Sequence, residues 1–346
     1  MKKEDKEFEE IYMDIQRKYQ DKIAKWEKDT KLSKILYAAL VGFLLIVVVV
    51  LFLTPFKDLL AANKGTFYAT IIAIVLIAIV IIAVASSLRS RCKKEYKNTV
   101  LTELINRTNN KFTFSSKCAD NGVGIKSAYE AADLDELARM GLGQIFAGVR
   151  RSVEIGTKNY IEGRVTDSIS VRMAEVDVDE IKKVRSMQDG KPTENTQRTS
   201  IFDGFFAHIS IPTAAPAEFS VFTRDYVSRN NSEVAETKKE GRRVSISKVE
   251  GWGGLDVYSE QPEKVEAYVT EEMGKIIRNM DKQSSIRTDI AIRGNDVFVR
   301  MHKYAFLEPV LGNENATKEK LKACYDILKF VEEFAIEVDN ANKNKK

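Results

Sequence analysis

The sequence predicts an α+β protein, with a two-helix transmembrane hairpin followed by a domain of antiparallel sheet with helices. Three observations carry that prediction. Residues 35–53 and 67–88 form two runs of nineteen and twenty-two positions without a charge. Short segments of alternating apolar and polar residues follow them, divided by polar turns. Two long stripes of apolar residues at helical spacing then frame a hairpin signal near the end of the chain.

At 1.5 Å rise per residue each uncharged run crosses a hydrocarbon core of about 30 Å. Runs so rich in Ile and Val could also form buried strands, but strands are usually about 5 to 6 residues long. Their length and lack of internal turn signals exclude that. The connection, Thr54 to Thr66, is thirteen residues with Pro55 and Gly65 as breakers, so the two helices are expected as antiparallel neighbours. Seven Lys and Arg precede the first run within twenty residues, six follow the second, and the connection holds two. The positive-inside rule then places both termini in the cytoplasm and the connection outside. Thirty-four mostly polar residues precede the first run, which is not the layout of a cleaved signal peptide. Neither run contains Asp, Glu, Lys, Arg or His, which argues against a proton- or ion-coupled transporter.

The formal net charge of +4 is too small for a general nucleic-acid coat. Its distribution is uneven. Arg89, Arg91, Lys93, Lys94 and Lys97 crowd into nine positions with one acid, Glu95. Such a cluster beside a span is a candidate lipid-facing site, each cation drawn to anionic head groups by roughly 1 kcal/mol. The same residues also serve simply to fix topology.

Residues 1–34 form a charged, amphipathic helical arm. Phe8, Tyr12, Ile15, Tyr19 and Trp26 fall at spacings of four, three, four and seven, a seam of nearly three heptads. It suits a partner helix or a second copy, and equally the surface of the protein's own soluble part or of the lipid.

The remaining 258 residues, 89–346, are enough for a core that buries roughly three quarters of the unfolded surface. A juxtamembrane helix is expected over 91–109 and another over 131–141. Strands are expected within 159–178 and at 200–211, 219–223, 243–249 and 255–258. Residues 185–199 and 228–241 are polar and read as long surface loops. Arg293-Gly294-Asn295 joins two alternating strands, 286–292 and 296–302. Helices over 263–281 and 317–339 flank them, the last with Leu321, Tyr325, Leu328, Val331 and Val338 inward.

Chemistry is harder to find. Gly141, Gly143 and Gly148 resemble a phosphate loop, but the third glycine comes two residues late for the dinucleotide fingerprint, and no Walker motif occurs. There is no nucleophile elbow and no paired-histidine metal motif. His208 and His302 sit mid-strand beside aromatics, and three scattered cysteines fit neither a disulfide framework nor a zinc site. Lys238, Lys239, Arg242 and Arg243 lack flanking aromatics for base stacking. No cofactor, metal, catalytic residue or nucleic-acid partner is therefore assigned.

Trp252, Val257-Tyr258-Ser259, Val265-Glu266-Ala267, Met273 and Phe306-Leu307-Glu308-Pro309 follow one another in order. Upstream come Tyr160-Ile161-Glu162-Gly163, Ala174-Glu175-Val176 and Phe202-Asp203-Gly204-Phe205-Phe206. This series resembles the bacterial domain-of-unknown-function 3137 family. Here the "FEP" ending carries an inserted leucine, and Trp252 stands where Phe is usual. The resemblance implies two N-terminal spans, a bacterial inner-membrane location and, through neighbouring genes, a LemA-like membrane protein as partner. It implies no activity. The expected role is a non-enzymatic membrane scaffold or adaptor, by self-association or a membrane-protein partner. The alternative is a tethered enzyme or ligand sensor whose site gathers His208, His302, Asp203, Glu308 or Tyr258.

Overall fold

A computed structural model describes residues 3–53, 64–117, 153–188, 191–223, 242–244, 246, 249–284, 286–301, 307, 309–310 and 312–344. The expected helix at 131–141, the glycine segment 141–148 and the loop 228–241 lie outside the described residues. The chain divides into two compact units, Met1–Leu101 with Glu308–Glu319 and Thr102–Leu307 with Lys320–Lys346.

In the first unit the arm is not a separate element. It runs into the first apolar stretch as one helix, α1 (Lys3–Leu53), because no Gly or Pro interrupts residues 27–41. Its one irregularity is a kink at Tyr19, with φ −113° and ψ 15°. The second stretch lies in α2 (Lys64–Tyr96), which continues through a π-helical turn, Lys97–Leu101. Trp26 Nε1 donates to Glu95 Oε2 at 2.8 Å, and Ser33 Oγ to the Ala85 carbonyl at 2.9 Å. Tyr37 and Ser86 hydroxyls meet at 2.7 Å. As residue numbers rise on α1 they fall on α2, so the helices are antiparallel neighbours as expected.

The second unit opens with α3 (Thr102–Thr108), so the expected juxtamembrane helix is cut by the π turn. Nine strands follow among the described residues: β1 (Phe112–Lys117), β2 (Val153–Arg164), β3 (Ser170–Gln188), β4 (Lys191–Ser210), β5 (Phe219–Thr223), β6 (Arg242–Val244), β7 (Leu255–Ser259), β8 (Thr288–Arg293) and β9 (Asp296–Met301). They form one antiparallel sheet in the order β1-β2-β3-β4-β9-β8-β5-β7-β6. The first four strands meander, and the β8–β9 hairpin inserts beside β4. Gly294, first of the two residues between these strands, has φ +59°, which suits a type II′ connection. Leu255 N–H donates to the Trp252 carbonyl at 3.1 Å across Gly253 and Gly254, the latter at φ +88°. This is the tight turn expected there.

The main departure is at 185–199, expected as a loop. The β3–β4 pairing continues without a break from Glu180↔Thr199 to Gln188↔Lys191. Asp189-Gly190 lies between the last pair, the dipeptide best suited to a two-residue hairpin. Pairing with β2 stops at Glu180 and with β9 at Phe205, so among the described residues the far end is a two-stranded ribbon beyond the sheet.

The helix expected at 263–281 is broken at Val269 into α4 (Pro262–Tyr268) and α5 (Glu271–Ser284). Thr270 Oγ1 accepts from Met273 N–H at 3.1 Å and caps α5. The last helix, α6 (Glu314–Lys343), buries all five of its expected inward residues, and Cys324 beside them.

Candidate functional site

In the first unit, α1 and α2 leave their apolar stretches bare. Ile35 is 63% exposed, Ile46 64%, Ile72 58% and Val80 60%. Both helices are long and apolar enough to cross a membrane. Below these stretches lies the predicted basic cluster. Arg89, Arg91 and Lys94 are exposed, while Lys93 and Lys97 are half-buried. Arg91 Nε donates to Glu95 Oε1 at 2.8 Å. That bond, with the one from Trp26, holds the Glu95 carboxyl below its usual range, and Glu95 in turn raises Arg91. Lys25, Lys28, Lys31 and Lys34 on α1 are exposed as well. Their spacing of three was legible in the sequence, but nothing there joined them to the α2 cluster until the antiparallel register was known.

The predicted seam is largely buried within the chain. Phe8 is 1% exposed, Tyr12 6%, Ile15 0% and Trp26 2%, while Tyr19 at the kink is intermediate. Part of the cover comes from the start of α6, within the same unit. Lys318 Nζ donates to Glu9 Oε2 at 2.8 Å and lies 5.1 Å from the Tyr12 ring centre. Burial, then the charges of Glu314 and Glu9, push the Tyr12 hydroxyl up to about 12. The spacing identified an apolar stripe correctly, and the stripe is occupied without a second molecule.

In the second unit, the described groups named for an assembled site, His208, Asp203 and Tyr258, do not meet. His208 and Asp203 lie five residues apart on β4 and so face opposite sides of the sheet. Tyr258 is on β7, four strand spacings from β4, or about 19 Å. Burial and the neighbouring Asp256 raise its hydroxyl. Asp203 lies opposite Asp177, and its carboxyl is raised by burial and then by that like charge. His302 and Glu308 lie outside the described residues.

One grouping does contain Ser, His and Asp. His208 Nε2 lies 2.8 Å from Asp296 Oδ1, and Ser210 Oγ is 3.5 Å from the same nitrogen and 3.4 Å from the same oxygen. A hydrolytic triad needs the acid on one ring nitrogen and the serine on the other. Here both compete for Nε2, with the imidazole stacked on Phe298 at 4.9 Å, so the serine gains no base.

Sequence reasoning missed a buried polar knot. Glu175, 2% exposed, accepts from Asn159 Nδ2 at 2.6 Å and from Leu307 N–H at 2.9 Å. Asn159, fully buried with φ +54°, sits where the β2–β3 register shifts. Among the described residues, no group of three or more His, Cys, Asp or Glu could hold a metal ion.

These features define an α+β protein with two long apolar helices and an antiparallel sheet. Comparison with known families is more specific. Residues 200–339, from β4 into α6, match the family model described as a protein of unknown function, DUF3137. No curated protein and no solved structure matches the chain.

Proposed function

We propose that this protein is a bacterial inner-membrane scaffold or adaptor, non-enzymatic, held in the bilayer by the α1–α2 hairpin with both termini in the cytoplasm. The observation that supports it best is the bare apolar surface of the hairpin. Side chains such as Leu45, at 62% exposure, would each cost roughly 1.5–3 kcal/mol in water relative to an apolar medium. In lipid that cost disappears.

The adaptor half rests on how the polar groups of the second unit are used. Glu175 is taken up by backbone and Asn159, His208 by Asp296, and Asp289 by Arg287 at 2.9 Å. The His208–Asp296 contact links β4 to β9, and Asp289 also faces Arg300 of β9 at 3.5 Å. Because the α1 seam is occupied within the chain, the partner surface moves to the β3–β4 ribbon. Beyond Glu180 and Thr199 its two outer edges carry no further strand among the described residues. An open edge is a template for pairing with another chain. The partner is a second copy or a membrane protein, the LemA-like one being the resemblance's suggestion.

Crosslinking in intact membranes tests this, using the full chain and a variant whose residues 182–198 are replaced by a short Asn-Gly turn. A crosslinked species lost in the variant supports the adaptor. No crosslinked species, or one that survives the replacement, removes it.

A further inference from the structure

The contacts between α1 and α2 fix which residues share a level along the pair. Trp26 meets Glu95 and Ser33 meets Ala85. Between those two contacts, Lys31 lies level with Arg89 and Lys28 with Arg91, and beside the Trp26–Glu95 contact Lys25 lies level with Lys94. Lys34 sits just above, one residue before the exposed Ile35. All seven cations are exposed. Three carboxylates, Glu27, Asp29 and Glu95, lie among them, and Glu95 is engaged by Trp26 and Arg91. The result is a positive collar around both helices, directly continuous with a bare apolar band.

We propose that this collar is a binding surface for anionic phospholipid head groups, whose phosphate oxygens accept hydrogen bonds from its lysines and arginines. The inference rests on the membrane anchor proposed above. From Lys25 to Lys34 the helix rises about 13 Å, whereas the polar layer of one leaflet is about 5–8 Å thick. Lys34, Lys31 and Arg89 therefore lie among the phosphates and contact them directly. Lys28, Arg91, Lys25 and Lys94 lie beneath, within about one Debye length of 8 Å, and act through the surface potential. Charge complementarity with continuity to the apolar band selects a lipid leaflet over a soluble anion, which would use only the charge.

The full chain is reconstituted in mixed phosphatidylcholine and phosphatidylglycerol vesicles and taken out in copolymer discs, and the lipid that accompanies it is measured. Enrichment of phosphatidylglycerol over the bulk ratio is expected. It should fall by about fivefold in Lys31→Gln/Lys34→Gln/Arg89→Gln, the lower four cations keeping a smaller excess. The charge-conserving Lys31→Arg/Lys34→Arg/Arg89→Lys should keep it. A native chain accompanied by the bulk ratio, or a glutamine variant as enriched as the native chain, overturns the proposal while leaving the anchor intact. A chain that never enters the vesicles removes the anchor and this inference together.

Discussion

The Glu175 carboxylate accepts a hydrogen bond from the Leu307 backbone N–H at 2.9 Å, across 132 positions of sequence. It thereby ties the middle of β3 to the segment that follows β9. The same carboxylate holds Asn159, which adopts a left-handed backbone at the irregular point of the β2–β3 pairing. One buried side chain thus fixes both a strand register and the exit of the last hairpin.

Glu175→Ala leaves the Leu307 N–H and the Asn159 amide buried without their acceptor. A loss of about 3 kcal/mol is expected, measured by denaturant unfolding in detergent. Glu175→Gln keeps one acceptor oxygen and should lose about half as much. Equal stability of native and alanine chains would show that the bond contributes nothing.

Trp252 is 2% exposed, with Nε1 donating to the Thr270 carbonyl at 2.7 Å. A Cβ on Gly274 would stand 2.7 Å from Trp252 Cδ1 and 2.8 Å from its Nε1. Gly274→Ala should therefore cost about 1–3 kcal/mol through overpacking. Combined with Trp252→Phe, the two losses should sum to more than the double variant shows, because they share one contact. A strictly additive double variant would contradict the contact.

Glu95 has a depressed folded-state pKa, caused first by Arg91 and then by Trp26. Its contribution is therefore present above its ordinary value of 4.5 and lost as pH falls through the lower folded value. In a Trp252→Phe background, Trp26 emission should stay constant down to that region and change below it. The transition should vanish in Glu95→Gln. A transition near neutral pH, or one unchanged in the glutamine variant, would argue against the Trp26–Glu95 bond.

Among the described residues the ribbon has no third strand, and a lone two-stranded ribbon is only marginally stable in water. Amides of 182–188 and 191–198 should exchange with solvent roughly 100-fold faster than those of Val171–Val176, which pair on both sides. Equal protection would mean that the ribbon is covered.

Much of this architecture was legible in the sequence because it rests on local periodicity. The two apolar helices were marked by unbroken uncharged runs, while the stripe of α6 and the β8–β9 hairpin repeat at the period of their element. The ribbon was missed because neither β2 nor β9 reaches it, so no apolar face is demanded and the alternating signal fades. The seam at Phe8, Tyr12 and Ile15 was visible, but its spacing is the same whether the cover comes from this chain or another. Glu175 was picked out only as part of the family resemblance, and its buried role was not legible. An acid in a strand looks like a solvent-facing residue, and its partner Leu307 is too distant for any spacing rule to join them.

The central claim is that α1 and α2 cross a bilayer, with residues 54–66 on the side opposite both termini. Single cysteines placed by Asp58→Cys and by Asn344→Cys in a chain carrying Cys92→Ser, Cys118→Ser and Cys324→Ser, labelled with a membrane-impermeant maleimide on intact spheroplasts, test it most directly. Labelling at position 58 before permeabilisation, and at position 344 only afterwards, is the predicted result. Labelling of both positions on the same side of an intact membrane, or release of the protein by alkaline carbonate, would contradict it.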